Sequence, residues 1–179
     1  MVVRRFLSRT QSRNKQLNPK KAKELLAPCT YGNTEIFYPD LRFAKVLKVY
    51  DGDTIWIASS VVPNRVGRFN LRMLGYDSAE LRSSDVIEKH VAQKARDALT
   101  QKLCDKLLYV EIQDPNTVKK RDPYGRLLGT VWIVGESGKG NRYDPKDSVN
   151  QWMIDNRHGV PYDGKGKRPE TDWSLYFSQ

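Results

Sequence analysis

From Lys45 onward, apolar and polar side chains alternate with the period of two that lays one face of a strand against a core. Lys45–Tyr50 and Thr54–Ala58 are rich in strand formers and flank Asp51-Gly52, a dipeptide suited to a tight hairpin turn. Phe69, Leu71 and Met73 alternate with Asn70 and Arg72 and predict a third strand over 69–74, reached through a polar turn over 59–67 that contains Pro63 and Asn64. The period then changes. Val91, Ala95, Ala98, Leu99 and Leu103 recur at helical spacing behind Ser84 and Asp85, which can cap a helix running to about Leu103. Leu108, Val110 and Ile112 restore the alternation over 107–112, and 127–134 is again rich in strand formers, so strands four and five frame the segment 114–126. Ser148 with Gln151 three residues on is a capping-box pattern that opens a second helix, apolar at Val149, Trp152 and Met153 and expected to close near Gly159. Upstream, Asn18-Pro19 offers an N-cap and a proline at the first helical position for a modest helix ending before Pro28. Five strands with one intervening helix predict a small barrel with two or three helices, the stripe of the long helix packing on the sheet.

Length and charge change this picture mainly at its ends. A chain of 179 residues is long enough for one well-buried domain with tails to spare. The net charge of +10 invites a nucleic-acid partner, but residues 1–23 hold eight of the 31 basic side chains and no acidic one, which leaves 23 basic against 21 acidic residues in the rest. The excess is an arm. It can neutralise phosphates without sequence preference, and an acid-free, Arg- and Ser-rich N-terminus equally suits mitochondrial or nuclear targeting. Residues 24–42 read as an extension laid on the domain through aromatic anchors, and 163–179 as a tail whose Trp173, Leu175, Tyr176 and Phe177 are expected to dock. No apolar run is long enough for a membrane span and Arg4-Arg5 break any secretory core, so an intracellular or virion-associated protein without a signal peptide is expected. Cys29 and Cys104 lack metal-ligand spacing and read as buried or idle thiols. His90 and His158 read as structural, and the glycine-rich stretch 135–140 as a hairpin loop rather than a phosphate loop.

The candidate chemistry gathers at the end of the third strand. Arg72 to Glu80 holds one guanidinium and two carboxylates, and Asp77 and Glu80 stand three apart across a turn, where they repel unless a cation or Arg72 compensates. A hard metal ion is one such compensation; a solvated turn with a surface ion pair is the other reading of these residues. Asp51-Gly52-Asp53-Thr54 precedes this stretch, and Asp122-Pro123-Tyr124-Gly125-Arg126 follows it.

In order and register, these three pieces resemble the staphylococcal nuclease family over roughly residues 43–162, extending to Val149-Asn150 at the start of the second helix. The resemblance implies a five-stranded antiparallel barrel (OB-like) with two or three helices, and a 43–162 nuclease domain. It implies a calcium ion held by Asp53, Asp77 and the backbone carbonyl of Ser78, with water and a substrate phosphate completing the shell. Calcium takes six to eight hard oxygen ligands, which suits such donors. Arg72 and Arg126 match the guanidinium groups that stabilise charge on the phosphate, a task for a planar fork that lysine lacks. Glu80 matches the proposed general base, with two roles open: base, or orienter of the attacking water. Tyr124 matches a phosphate contact, Tyr162 an aromatic flanking the bound base, and Asp51 a residue behind the metal ligands. The implied activity is calcium-dependent endonucleolytic hydrolysis of DNA and/or RNA, favouring single-stranded or locally opened substrate and leaving 3′-phosphate ends. The alternative is a non-catalytic nucleic-acid-binding or packaging protein that keeps the fold while the arm binds. The family's third helix has no counterpart in 163–170, and Ala79 and Ser78 replace its proline and threonine.

Overall fold

The computed structural model describes residues 18–35, 38–62, 65–114, 122, 124–136 and 143–176. Most of the arm, the turn residues Pro63 and Asn64, Pro123, most of the glycine-rich loop and Phe177 lie outside the described residues. The chain divides into two compact units, 1–36 and 37–179. In the first, α1 (Pro19–Leu26) forms as expected: Asn18 Oδ1 accepts from the Lys21 amide at 2.9 Å, and proline occupies the first turn. None of the side chains of α1 is buried.

In the second unit, β1 (Phe43–Val49), β2 (Thr54–Val62), β3 (Arg65–Met73), β5 (Leu107–Ile112) and β6 (Leu127–Ile133) close into a barrel in the order β1-β2-β3-β6-β5. Four of its five seams are antiparallel; the β3–β6 seam is parallel, through Leu71–Leu127, Arg72–Leu128 and Met73–Gly129, where all-antiparallel pairing was expected. The parallel seam follows from connectivity, because α2 (Val86–Leu103) and β5 intervene and return the chain to the far edge of β3 in the same direction. β2 and β3 also run further than the polar stretch 59–67 suggested. Ser59 pairs with Gly67 and Ser60 with Val66, since ladder hydrogen bonds come from the backbone; Ser60 is exposed, and the buried Ser59 hydroxyl is satisfied by donating to the Phe43 carbonyl at 2.6 Å. Two-residue strands β4 (Tyr76–Asp77) and β7 (Val160–Pro161) make a second, small sheet that the residue pattern does not announce.

The barrel interior is filled by Ile55, Ile57, Leu71, Met73, Leu108, Val110, Val131 and Ile133, all nearly inaccessible. Ala95, Leu99 and Leu103 of α2 close one side, and Val149 and Met153 of α3 (Val149–Asp155) another. Asp85 caps α2 by accepting from the Ile87 and Glu88 amides. Ser148 caps α3 through the Gln151 amide, but the Gln151 side chain goes forward to Asp155 instead of back, so only half of the capping box forms. The helix ends before Arg157, which takes φ 57°, earlier than Gly159 suggested.

Asn150 ties α3 to the parallel seam: its Oδ1 accepts from the Val131 amide at 2.9 Å, and its Nδ2 donates to the Leu74 and Gly129 carbonyls. At the C-terminal end Trp173 is buried with Ala79, Val91, Ala92 and Val160, and Tyr176 packs beside it, as expected of an anchoring tail; Leu175 stays exposed. Leu41, at the end of the segment expected to pack on the domain, is buried in the main core. Cys29 and Cys104 are free and exposed. Burial beside Trp152, together with Lys94, holds the His158 imidazole below its usual range. Among the described residues no helix is long and apolar enough to cross a membrane.

Candidate active site

Register builds the site. Thr54 and Arg72 are direct partners across the β2–β3 ladder, and Leu127 pairs with Leu71, so Asp53, Arg72 and Arg126 leave their strands at one end of the barrel. After β3, Gly75 turns the chain at φ 89°, a conformation costly for a residue with a Cβ, and β4 folds Asp77 back over the same end. The Tyr76 hydroxyl fixes that fold by donating to the Gly52 carbonyl at 2.7 Å. Gly52 must be glycine here, because a Cβ would stand 2.7 Å from Ser78 Cβ and 3.0 Å from Ala95 Cβ. The Asp51–Thr54 turn therefore lies against the Ser78 and Ala95 side chains, and Asp51 Oδ1 accepts from the Asp53 amide to hold its shape.

One chain of polar contacts runs through the result. Arg126 Nη1 donates to Thr54 Oγ1 at 3.1 Å, and Thr54 Oγ1 donates to Asp53 Oδ1 at 2.7 Å. Arg72 Nη2 lies 2.9 Å from Asp53 Oδ2 and 2.7 Å from Asp77 Oδ1, bridging the two buried carboxylates. Asp77 Oδ2 accepts from Arg168 Nε, and Arg168 Nη2 donates to the Ser78 carbonyl at 2.7 Å and to Glu88 at 3.0 Å. Glu88 in turn accepts from the Glu80 amide, and the exposed Glu80 carboxylate lies 3.8 Å from Arg168 Nη1. Above this chain is a cleft of about 1030 Å³, walled by Asp51, Thr54, Arg72, Glu80, Tyr124 and Arg126 and bordered by Tyr50 and Trp56.

The electrostatics are lopsided at Asp53. Burial pushes its carboxyl from 3.8 up to about 7, against the pull of Arg72 and Thr54 and with the help of Asp51 and Asp77. Burial also disfavours the Arg72 cation, yet Asp53 and Asp77 outweigh it and hold the guanidinium above its usual range. Arg72 bridges both carboxylates and Arg168 pairs with Asp77 as well, so the rise at Asp53 is a consequence of its burial.

Asp53, Arg72, Asp77, Glu80 and Arg126 thus meet at one place, together with Asp51, Ser78 and Tyr124. Asp53, Asp77 and Ser78 are buried and do not wall the cleft, to which they connect through Thr54 and Arg72. Tyr162, among the described residues, has no hydrogen bond to the group: its hydroxyl donates to the Gly166 carbonyl and its amide extends the β4–β7 pairing through Gly75. Three residues outside the predicted set are integral. Asp122 accepts from Arg126 Nε and Nη2 and from the Tyr124 and Arg126 amides, fixing the plane of the guanidinium; its four-residue spacing from Arg126 could have been read as a signal. Thr54 links the two halves of the site. Arg168 comes from a stretch of Gly, Lys and Pro with no local pattern, and only the fold reveals its partners.

Two carboxylates and a backbone carbonyl are hard oxygen donors of the kind calcium takes. The set fits such an ion in chemistry and convergence, although Arg168 stands on two of its oxygens. Among the described residues no three His, Cys, Asp or Glu side chains form a cluster able to hold a metal by themselves. Comparison of the chain with protein-family models and with curated proteins gives no match.

Proposed function

We propose that the protein is a calcium-dependent phosphodiesterase of the staphylococcal nuclease type, an endonuclease that hydrolyses DNA and/or RNA with little sequence specificity. The observation that carries this reading is the bridge from Arg72 to Asp53 and Asp77 beneath a cleft whose wall also holds Glu80 and Arg126. Asp53, Asp77 and the Ser78 carbonyl would hold calcium, which when bound supplies positive charge beside the scissile phosphate. Glu80 projects into the cleft, able to take a proton from the attacking water or to orient it. The water oxygen bonds to phosphorus, the bond to the 5′-oxygen breaks, and that oxygen takes up a proton from the aqueous cleft, leaving a 3′-phosphate. Arg72 and Arg126, the latter held by Asp122, would offer planar donors to the charge that grows on the phosphate oxygens. Tyr50, Trp56 and Tyr124 give unstacked bases a π-face, which suits single-stranded substrate better than duplex. The basic arm would add affinity without sequence preference.

Incubation of heat-denatured DNA with the full chain, in calcium and in chelator, tests the proposal: degradation is expected only with calcium, and equal degradation in both rules it out. One observation favours a second reading, a non-catalytic nucleic-acid-binding protein. Arg168 already occupies Asp77 Oδ2 and the Ser78 carbonyl. On that reading, deleting residues 1–23 abolishes binding and neither form cleaves.

A further inference from the structure

The segment 163–172 crosses from β7 to the anchoring Trp173 and sets Arg168 against the acidic end of the barrel. Gly164 and Gly166 take φ 76° and 75° on the approach, with open space around both. The guanidinium lies 5.8 Å from the centre of the Trp173 ring, so the docked tryptophan helps to aim it. Its contacts are selective: Asp77 Oδ2, the Ser78 carbonyl, Glu88, and more distantly Glu80. Two of those oxygens belong to the donor set that would hold calcium. A monovalent cation on a tether therefore fills part of a place suited to a free divalent one.

We propose that Arg168 is a displaceable latch: in the metal-free protein its guanidinium neutralises Asp77 and occupies the Ser78 carbonyl, and calcium binds as that guanidinium leaves. This rests on the calcium site of the proposed function and adds its regulation. The two states compete because an ion at Asp77 and the Ser78 carbonyl would lie beside the Arg168 guanidinium, and like charges at that distance repel. Arg168 is suited to leave, because about a third of its side chain is exposed and the glycine-rich approach absorbs backbone change. Arg72, with 21% of its side chain exposed and its donor shared by Asp53 and Asp77 on the rigid β3 ladder, is the less free of the two to move. Closing the site with the protein's own cation lowers apparent metal affinity by the fraction of molecules latched.

Calorimetric titration of the full chain with calcium chloride, comparing wild type with Arg168→Gln and Arg168→Lys, tests the latch. Loss of the fork is expected to tighten calcium binding roughly tenfold in Arg168→Gln, the scale of one or two charge-assisted hydrogen bonds, with Arg168→Lys in between. Equal affinities overturn the latch and leave the calcium site standing; weaker binding in Arg168→Gln overturns it in favour of a supporting role. Absence of calcium binding in every form removes the site, and the latch with it. Hydrogen exchange of the wild type gives a reading that needs no variant to fold: calcium should speed exchange across 163–170, and unchanged exchange in calcium-saturated protein overturns the proposal.

Discussion

Asp53 makes the apo protein sensitive to pH in a direction unusual for a carboxylate. Its ordinary value of 3.8 rises to about 7 on folding, chiefly through burial, so between those limits the native state holds a proton that the unfolded chain releases. The associated stability is fully present below about pH 4 and is lost as pH rises to about 7. Three units at 1.36 kcal/mol each amount to about 4 kcal/mol. Asp53→Asn keeps the shape of the protonated carboxyl and removes the titration. In chelator, the amide donor that the variant turns toward Thr54 or Arg72 carries a fixed cost at every pH, and the stability of the variant relative to wild type should rise by about 4 kcal/mol between pH 4 and pH 8. With a urea slope of about 2 kcal/mol/M, the two denaturation midpoints should shift relative to each other by about 2 M across that range. Adding calcium at pH 8 should narrow the gap, because a bound cation favours the ionised carboxylate and adds about 2.7 kcal/mol to wild type alone at a hundredfold excess over its dissociation constant. A difference between the two proteins that stays constant from pH 4 to pH 8 would refute the assignment of the buried charge to Asp53.

Other residues carry expectations of their own. Gly129→Ala would place a Cβ 2.6 Å from the Glu111 carbonyl, inside the barrel wall, and should cost about 2 kcal/mol and lower the thermal midpoint by roughly 6 °C in a calorimetric scan. Asn150→Ala strands the Val131 amide and removes the Nδ2 donor from the Leu74 carbonyl, while the Gly129 carbonyl keeps the Leu74 amide, and should cost about 3 kcal/mol in urea unfolding; a loss below 1 kcal/mol would mean that water replaces the side chain. Asp122→Ala frees the Arg126 fork and should slow cleavage of single-stranded DNA about tenfold or more at saturating substrate, with a much smaller change in binding.

What the sequence discloses, and what it withholds, follows from how local each cause is. Alternation at Phe69–Met73 and the stripe of α2 are local consequences of burying one face, so the five strands and the long helix were readable. The limits of β2 and β3 were not, because Ser59, Gly67 and Arg68 are polar residues held in a ladder by their backbones. The parallel β3–β6 seam depends on which edges meet after more than fifty residues of chain, and Asn150, its staple, reads as an ordinary polar residue near a helix start. In the site, Asp53, Arg72, Asp77 and Arg126 could be named in advance because their spacing carries a resemblance, whereas Tyr162 was aligned through an irregular stretch and spends its hydroxyl elsewhere. Arg168 acts across ninety residues of sequence on Ser78, a distance at which no pattern survives.

The central claim, that these converging groups cleave a phosphodiester, is tested most directly by measuring cleavage and binding of one single-stranded oligonucleotide in calcium, by wild type, Glu80→Gln and Arg126→Ala in parallel. The account predicts that both variants bind within a few-fold of wild type and cleave at least a hundredfold more slowly. Wild-type protein that binds the oligonucleotide and leaves it intact, or variants that cleave at the wild-type rate, would contradict it.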